Sequence, residues 1–165
     1  MAVPHSAFAI RVVSAVVLAI PTIGAVAWGR PFLEIWFAVF IVLMGREWHE
    51  LCGGRGWPAD RLVLMAATLA VLILATIDRY QTALAVVILG VPVLYALSRL
   101  QGETRPGFIA AGLPYIGLAA LALSWLRAAP TPAGILNVLW VLGVVWATDS
   151  IAYLVGDRKS TRLNS

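Results

Sequence analysis

Asp149 is the residue of this sequence whose type and surroundings most favour chemistry. It lies in an otherwise apolar stretch, Gly134 to Val155, that is long enough to form a membrane helix. A carboxylate inside hydrocarbon costs at least about 2.5 kcal/mol, so such residues normally face a partner, an ion or a water-filled cavity. Tyr153, four residues further on, would share the helix face of Asp149. This position predicts a functional carboxylate, and the alternative is a structural carboxylate that is hydrogen-bonded to a neighbouring helix.

The polar run at residues 46–50 reads Arg-Glu-Trp-His-Glu. It contains the beginning of the zinc-protease motif H-E-x-x-H, but Gly53 stands where the second histidine would be, so that motif is absent. The favoured interpretation is a helix end at the membrane surface, with solvated charges and Trp48 as an interfacial anchor. The alternative makes Arg46 and Glu47 part of a polar wall that faces a lipid headgroup or a nucleotide.

Cysteine and glycine motifs add no further chemistry. Cys52 is the only cysteine, so it forms no intrachain disulfide and no cysteine metal or redox motif is available. The glycine-rich run at residues 53–56 lacks the spacing of a phosphate-binding loop, and no strand precedes it. This run is interpreted as a flexible connection.

The composition excludes a water-soluble domain. Of the 165 residues, 61% are hydrophobic and 12% are charged, whereas soluble domains have about 45–50% apolar and about 25% charged residues. The net charge of +4 does not indicate a nucleic-acid partner here, because the basic residues lie in short connections between long charge-free runs. An integral membrane protein remains.

The charge-free runs predict an all-α membrane protein with about six transmembrane helices. A helix needs roughly 20 apolar residues to cross the hydrocarbon, and the absence of period-two alternation argues against a membrane barrel. Pro21, Pro92 and Pro114 fall inside these runs and should kink them. The predicted spans are 12–29, 31–50, 61–77, 82–98, 107–126 and 134–155.

The distribution of Lys and Arg predicts the orientation. With six spans, nine Lys and Arg residues lie on one side of the membrane and three on the other. Because basic loops stay in the cytoplasm, both termini are predicted to be cytoplasmic. Residues 1–157 form one polytopic membrane domain. Residues 158–165 are polar and basic and resemble the translation of a sequencing adapter, so we expect a non-native or disordered tail.

Three segments together resemble bacterial phosphatidate cytidylyltransferases, the CDP-diacylglycerol synthases. They are Arg-Val-Val-Ser-Ala at residues 11–15, the polar run extended to Leu51, and residues 145–156, which contain a Trp, Asp-x-x-Ala-Tyr and a Gly in that order. The Gly-Leu-Pro-Tyr run at 112–115 adds a turn-like break in the fifth span. The resemblance covers about residues 8–157, in the order of the family's amino-terminal part.

The resemblance implies a multi-pass nucleotidyltransferase of the bacterial inner membrane, in phospholipid biosynthesis. Such an enzyme joins CTP and phosphatidate into CDP-diacylglycerol, releases diphosphate and uses Mg²⁺. Carried over to this sequence, it makes Asp149 a catalytic residue and a magnesium ligand. It leaves Tyr153, Arg46 and Glu47 as substrate-side candidates, and it leaves a homodimer open.

The family's carboxy-terminal signature is absent from the sequence. We therefore expect an amino-terminal fragment that is inactive alone. Two alternatives remain open, a transporter or lipid-binding subunit and a structural membrane subunit in which Asp149 pairs with a partner's cation. The lack of an internal repeat argues against the transporter.

Overall fold

The computed structural model describes residues 5–54 and 58–163, with side chains described for residues 13, 15–54 and 58–152. Within these residues the chain forms six α-helices and no strand, which confirms the all-α prediction. Arg55 and Gly56, in the run interpreted as flexible, lie outside the described residues. The helices are α1 (His5–Trp28), α2 (Phe32–Leu51), α3 (Ala59–Thr76), α4 (Tyr80–Leu100), α5 (Pro106–Ala128) and α6 (Ala133–Leu163).

Four of these helices are long and apolar enough to cross a membrane. They are α3, α4, α5 and the Ala133–Ala152 part of α6. Among the described side chains of α1, the apolar segment is the shorter Ala15–Trp28, and α2 carries charges in its first and last turns. A crossing by α1 and α2 therefore stays a prediction, as does the cytoplasmic location of both termini.

Short connections make successive helices antiparallel and bring their ends together at two faces. The polar end is where α2 and α4 end and α3 and α5 begin. The opposite end is where α1, α3 and α5 end and α2, α4 and α6 begin. At the opposite end, for example, Arg127 Nε donates to the Val26 carbonyl at 3.0 Å, and the Arg30 guanidinium lies 3.7 Å from Asp78.

The central helix is α5, which packs against α2, α3, α4 and α6. It runs without interruption from Pro106 to Ala128, so the predicted turn-like break at 112–115 is wrong. A Cβ at Gly112 would lie 2.7 Å from the Trp48 indole. This glycine therefore allows close packing of α2 on α5, and the proline that follows is accommodated within a continuous helix.

The last helix extends past the predicted domain boundary. α6 continues through Asp157 to Leu163. The side chains of residues 153–165 lie outside the described part, so the prediction of a distinct tail at 158–165 stays untested.

Candidate functional site

The polar end collects three side chains that can bind a cation. They are His49 in the last turn of α2, Asp60 in the first turn of α3 and Glu103 in the α4–α5 connection. One ligand atom from each lies within 4.8 Å of the others. We call these three residues the polar cluster.

Two helix C-termini of the same type position this cluster. After α2, Gly53 has φ +92° and the Gly54 N–H donates back to the His49 carbonyl at 3.0 Å. After α4, Gly102 has φ +75° and the Glu103 N–H donates back to the Ser98 carbonyl at 3.0 Å. This is the Schellman motif, which requires a residue in the left-handed region and so favours glycine.

Asp60 is the centre of the cluster. One carboxylate oxygen, Oδ1, accepts the Arg61 backbone N–H at 2.8 Å and lies 3.3 Å from His49 Nε2. The other oxygen, Oδ2, accepts the Ser98 hydroxyl at 2.9 Å. Through these contacts Asp60, in α3, connects to His49 of α2 and Ser98 of α4. Its place in the first turn of α3 is also favoured by the helix dipole.

His49 is buried but its ring is not satisfied. The exposed fraction is 0% for both His49 and Asp60, and neither ring nitrogen of His49 makes a hydrogen bond within the described residues. Leaving a buried polar group unsatisfied costs about 1–3 kcal/mol. A ring nitrogen of this kind is therefore a candidate to bind a ligand.

A layer of charges lies outside the cluster. Glu50 Oε1 is 2.9 Å from Arg46 Nε and 3.1 Å from the Arg61 guanidinium. Arg46, Glu47 and Glu50 are exposed, as the interpretation of a helix end with solvated charges requires. Next to this layer, burial raises the pKa of the Cys52 thiol, and the charge of Arg105 opposes that shift.

Trp48 packs between two helices, and its role as an interfacial anchor stays a prediction. Its Nε1–H donates to the Phe108 carbonyl at 2.8 Å, and its ring stacks on Tyr115 with the centroids 4.9 Å apart. It therefore packs α2 against α5, because the indole is accommodated over Gly112. A tryptophan near a span end is compatible with either role, and only the packing distinguishes them.

The Asp149 carboxylate makes no hydrogen bond or ion pair with another residue of the described part of the chain. Its side chain is exposed, like every residue of α6 from 143 to 152. The neighbouring Thr148 and Ser150 hydroxyls donate to carbonyls of their own helix, and no described residue donates to the Asp149 carboxylate. The side chain of Tyr153 lies outside the described residues. The assignments of Asp149 and Tyr153 thus stay predictions.

A cleft of about 340 Å³ lies at the opposite end. Its charged groups largely neutralise one another, since Arg30 pairs with Glu34 at 3.0 Å and lies 3.7 Å from Asp78. The distribution of Lys and Arg predicts that this end faces away from the cytoplasm. The cleft is therefore a weaker candidate site than the polar end.

The sequence did not predict the polar cluster. His49 is part of the polar run at residues 46–50, and the sequence pattern singles out neither Asp60 nor Glu103. A signal was nevertheless present, because alternating spans bring the end of α2, the start of α3 and the α4–α5 connection to one face. A histidine and two acids at those three places are therefore candidates for one shared site.

Apolar helices and a polar end define the chain as a multi-pass membrane protein. Residues 9–162 match the model of the cytidylyltransferase family. The chain belongs to this family.

Curated relatives agree with this assignment. Proteins named phosphatidate cytidylyltransferase in Brucella abortus, Brucella suis and Brucella melitensis are each 31% identical to this chain over 147 residues, 88% of its length. The aligned region is 53% of each relative, so the chain spans about half the length of these proteins. No solved structure matches the chain.

Proposed function

We propose that the protein is a phosphatidate cytidylyltransferase of the bacterial inner membrane, which makes CDP-diacylglycerol from CTP and phosphatidate. The observation that carries this proposal is the family match over residues 9–162, which includes nearly all of the six helices. The relatives that bear this name support the choice of substrates. Because the chain spans about half of those relatives, the activity is proposed for the whole protein.

The proposed reaction needs no protein nucleophile. A phosphate oxygen of phosphatidate attacks the α-phosphorus of CTP, the bond from that phosphorus to the β-phosphate oxygen breaks, and diphosphate leaves. Both reactants are polyanions, so the main requirement is to hold them together and to stabilise the charge that develops on the phosphoryl oxygens.

The polar end supplies groups suited to this task. The predicted orientation directs it to the cytoplasm, where CTP is dissolved. Arg46 is exposed there and shares Glu50 with Arg61. A substrate phosphate could compete with Glu50 for the Arg46 guanidinium, since arginine binds phosphate through charge-assisted hydrogen bonds. Arg46, with Glu47 beside it, is therefore the proposed substrate-side group.

Asp149 is the proposed magnesium ligand. Its carboxylate is exposed and accepts no hydrogen bond from a described residue, so its oxygens are available. Mg²⁺ prefers oxygen ligands and is commonly held by one or two carboxylates together with substrate phosphates. The single carboxylate of Asp149 is compatible with this pattern. Bound there, the ion would neutralise negative charge on the phosphates.

The test is a direct assay of the whole protein that contains this sequence. Membranes that contain it are incubated with labelled CTP, phosphatidate and Mg²⁺, and CDP-diacylglycerol is separated and counted. We expect formation of product that requires both substrates. Absence of product would contradict the proposal.

Asp149→Asn tests the role of the carboxylate. We expect kcat to fall by about 100-fold or more, the scale of losing one preorganised group that stabilises charge. Asp78→Asn is the matched control, because it makes the same chemical change at an exposed position of the opposite end. Unchanged turnover of Asp149→Asn would remove Asp149 from the mechanism and leave the proposed activity standing.

A further inference from the structure

We propose that the polar cluster binds one divalent transition-metal ion of the Zn²⁺ type, with His49, Asp60 and Glu103 as its three protein ligands. The site is separate from the proposed magnesium ligand Asp149, and it does not depend on the proposed activity. Three observations support it, namely the donor set, the spacing and the unsatisfied buried histidine.

The donor set selects the kind of ion. Imidazole nitrogen suits Zn²⁺ and its first-row neighbours, whereas Mg²⁺ and Ca²⁺ take oxygen ligands. Histidine nitrogen and carboxylate oxygen are both ligands of Zn²⁺, and zinc sites with three protein ligands keep a fourth position open. Glu103 is half-buried while His49 and Asp60 are fully buried, so the open position would face the solvent side.

The spacing fits two ligands of one ion. Bonds of about 2.1 Å to zinc place adjacent tetrahedral ligands about 3.4 Å apart, and His49 Nε2 lies 3.3 Å from Asp60 Oδ1. The Glu103 carboxylate lies within 4.8 Å of both partners. Since Glu103 is on a connection and has a flexible side chain, it needs only a small rotation to complete the set.

The histidine is held where such a ligand is needed. Its ring is fully buried and neither nitrogen makes a hydrogen bond within the described residues. A Cβ at Gly54 would overlap the ring, so Gly54 forms a close wall against it. Asp60 is oriented in turn by the Ser98 hydroxyl at 2.9 Å, and hydrogen bonds of this kind hold a ligating carboxylate in place.

A bound ion would join three segments of the polar end. It would connect the last turn of α2, the first turn of α3 and the α4–α5 connection, which are far apart in sequence. An ion bound only by the folded chain stabilises it by mass action. Zn²⁺ should therefore raise the unfolding temperature.

The experiment measures metal binding rather than activity. The chain is purified in detergent without a histidine tag, stripped with a chelator and titrated with Zn²⁺ against a fluorescent zinc indicator, and bound metal is counted by mass spectrometry. We expect one Zn²⁺ per chain and a higher unfolding temperature. Millimolar Mg²⁺ should not compete for the site, and Co²⁺ in its place should give visible absorption bands.

Two variants identify the ligands. His49→Gln should remove the Co²⁺ bands and weaken Zn²⁺ binding at least tenfold. Glu103→Gln, at a half-buried position that leaves the helices intact, should weaken Zn²⁺ binding at least tenfold without changing the unfolding temperature of the metal-free chain. Glu34→Gln is the matched control at the opposite end and should bind Zn²⁺ like the unmodified chain.

The proposal has clear contrary outcomes. If the unmodified chain binds no Zn²⁺, His49 and Asp60 form only a buried histidine–carboxylate pair. If His49→Gln and Glu103→Gln both bind Zn²⁺ as tightly as Glu34→Gln, the ion binds elsewhere. Displacement of Zn²⁺ by millimolar Mg²⁺ would also overturn the assignment.

Discussion

At the scale of single residues, Asp60 determines how the polar end is built. It is fully buried, and its two oxygens accept hydrogen bonds from the Arg61 N–H and the Ser98 hydroxyl. A carboxylate withdrawn from water is tolerated only when such partners replace the lost hydration. The hydroxyl of Ser98 should therefore matter to the stability of the whole chain.

Ser98→Ala tests this contribution. It removes the 2.9 Å hydrogen bond to Asp60 with little change in volume, so we expect the free energy of unfolding to fall by about 1–3 kcal/mol. Denaturant titration in detergent measures it. Ser124→Ala is the control, because Ser124 is also buried but makes no side-chain hydrogen bond within the described residues, so its loss of stability should be smaller. Equal losses in the two variants would contradict the role assigned to Ser98.

At the scale of helices, the contact of α2 with α5 depends on one large residue over one small one. The Trp48 ring lies over Gly112, stacks on Tyr115 and donates to the Phe108 carbonyl. Small residues let helices approach closely in membranes, where packing rather than hydrophobicity drives association. The glycine that had suggested a break in the fifth span is thus a packing position.

Gly112→Ala tests this packing. The new Cβ would lie 2.7 Å from the Trp48 indole and 3.2 Å from Leu64, so we expect a loss of about 1–3 kcal/mol from overpacking. Gly107→Ala is the control in the same helix, where a Cβ meets nothing within 4 Å. That variant should be neutral or slightly more stable, since alanine has the higher helix propensity. The unfolding temperatures of both variants are compared. An unchanged unfolding temperature of Gly112→Ala would show that the Trp48 ring moves aside without loss of stability.

At the scale of the whole molecule, the chain has a charged end with the polar cluster and an opposite end with a largely neutralised cleft. The count of Lys and Arg predicts that the charged end faces the cytoplasm. This orientation underlies the proposal that CTP reaches the polar end. Labelling of single cysteines tests it without assuming any activity.

Two variants, each without the native cysteine (Cys52→Ala), carry a single exposed thiol. Gln101→Cys has it at the polar end, and Thr131→Cys has it at the opposite end. A maleimide that cannot cross membranes should label Thr131→Cys on intact cells. It should label Gln101→Cys only after the membrane is opened. The reverse pattern would refute the predicted orientation and, with it, the access of CTP to the polar end.

The amino-acid pattern was sufficient to predict the class of protein and the approximate limits of its helices. Long runs without charge must form helices in lipid, because an unpaired backbone polar group is too costly in hydrocarbon. This requirement is local, so it can be read from composition. The six helices match the six predicted runs, and the family resemblance read from three segments is confirmed by the match over residues 9–162.

Which polar residues lie close together depends on how the helices pack. His49, Asp60 and Glu103 come together because of how α2, α3 and α4 are rotated about their axes and where two glycines reverse the chain. Trp48 likewise became a packing residue because Gly112 lies opposite it. Such proximity depends on the packing of distant segments, and in an apolar helix the sequence pattern is too uniform to fix which face turns inward.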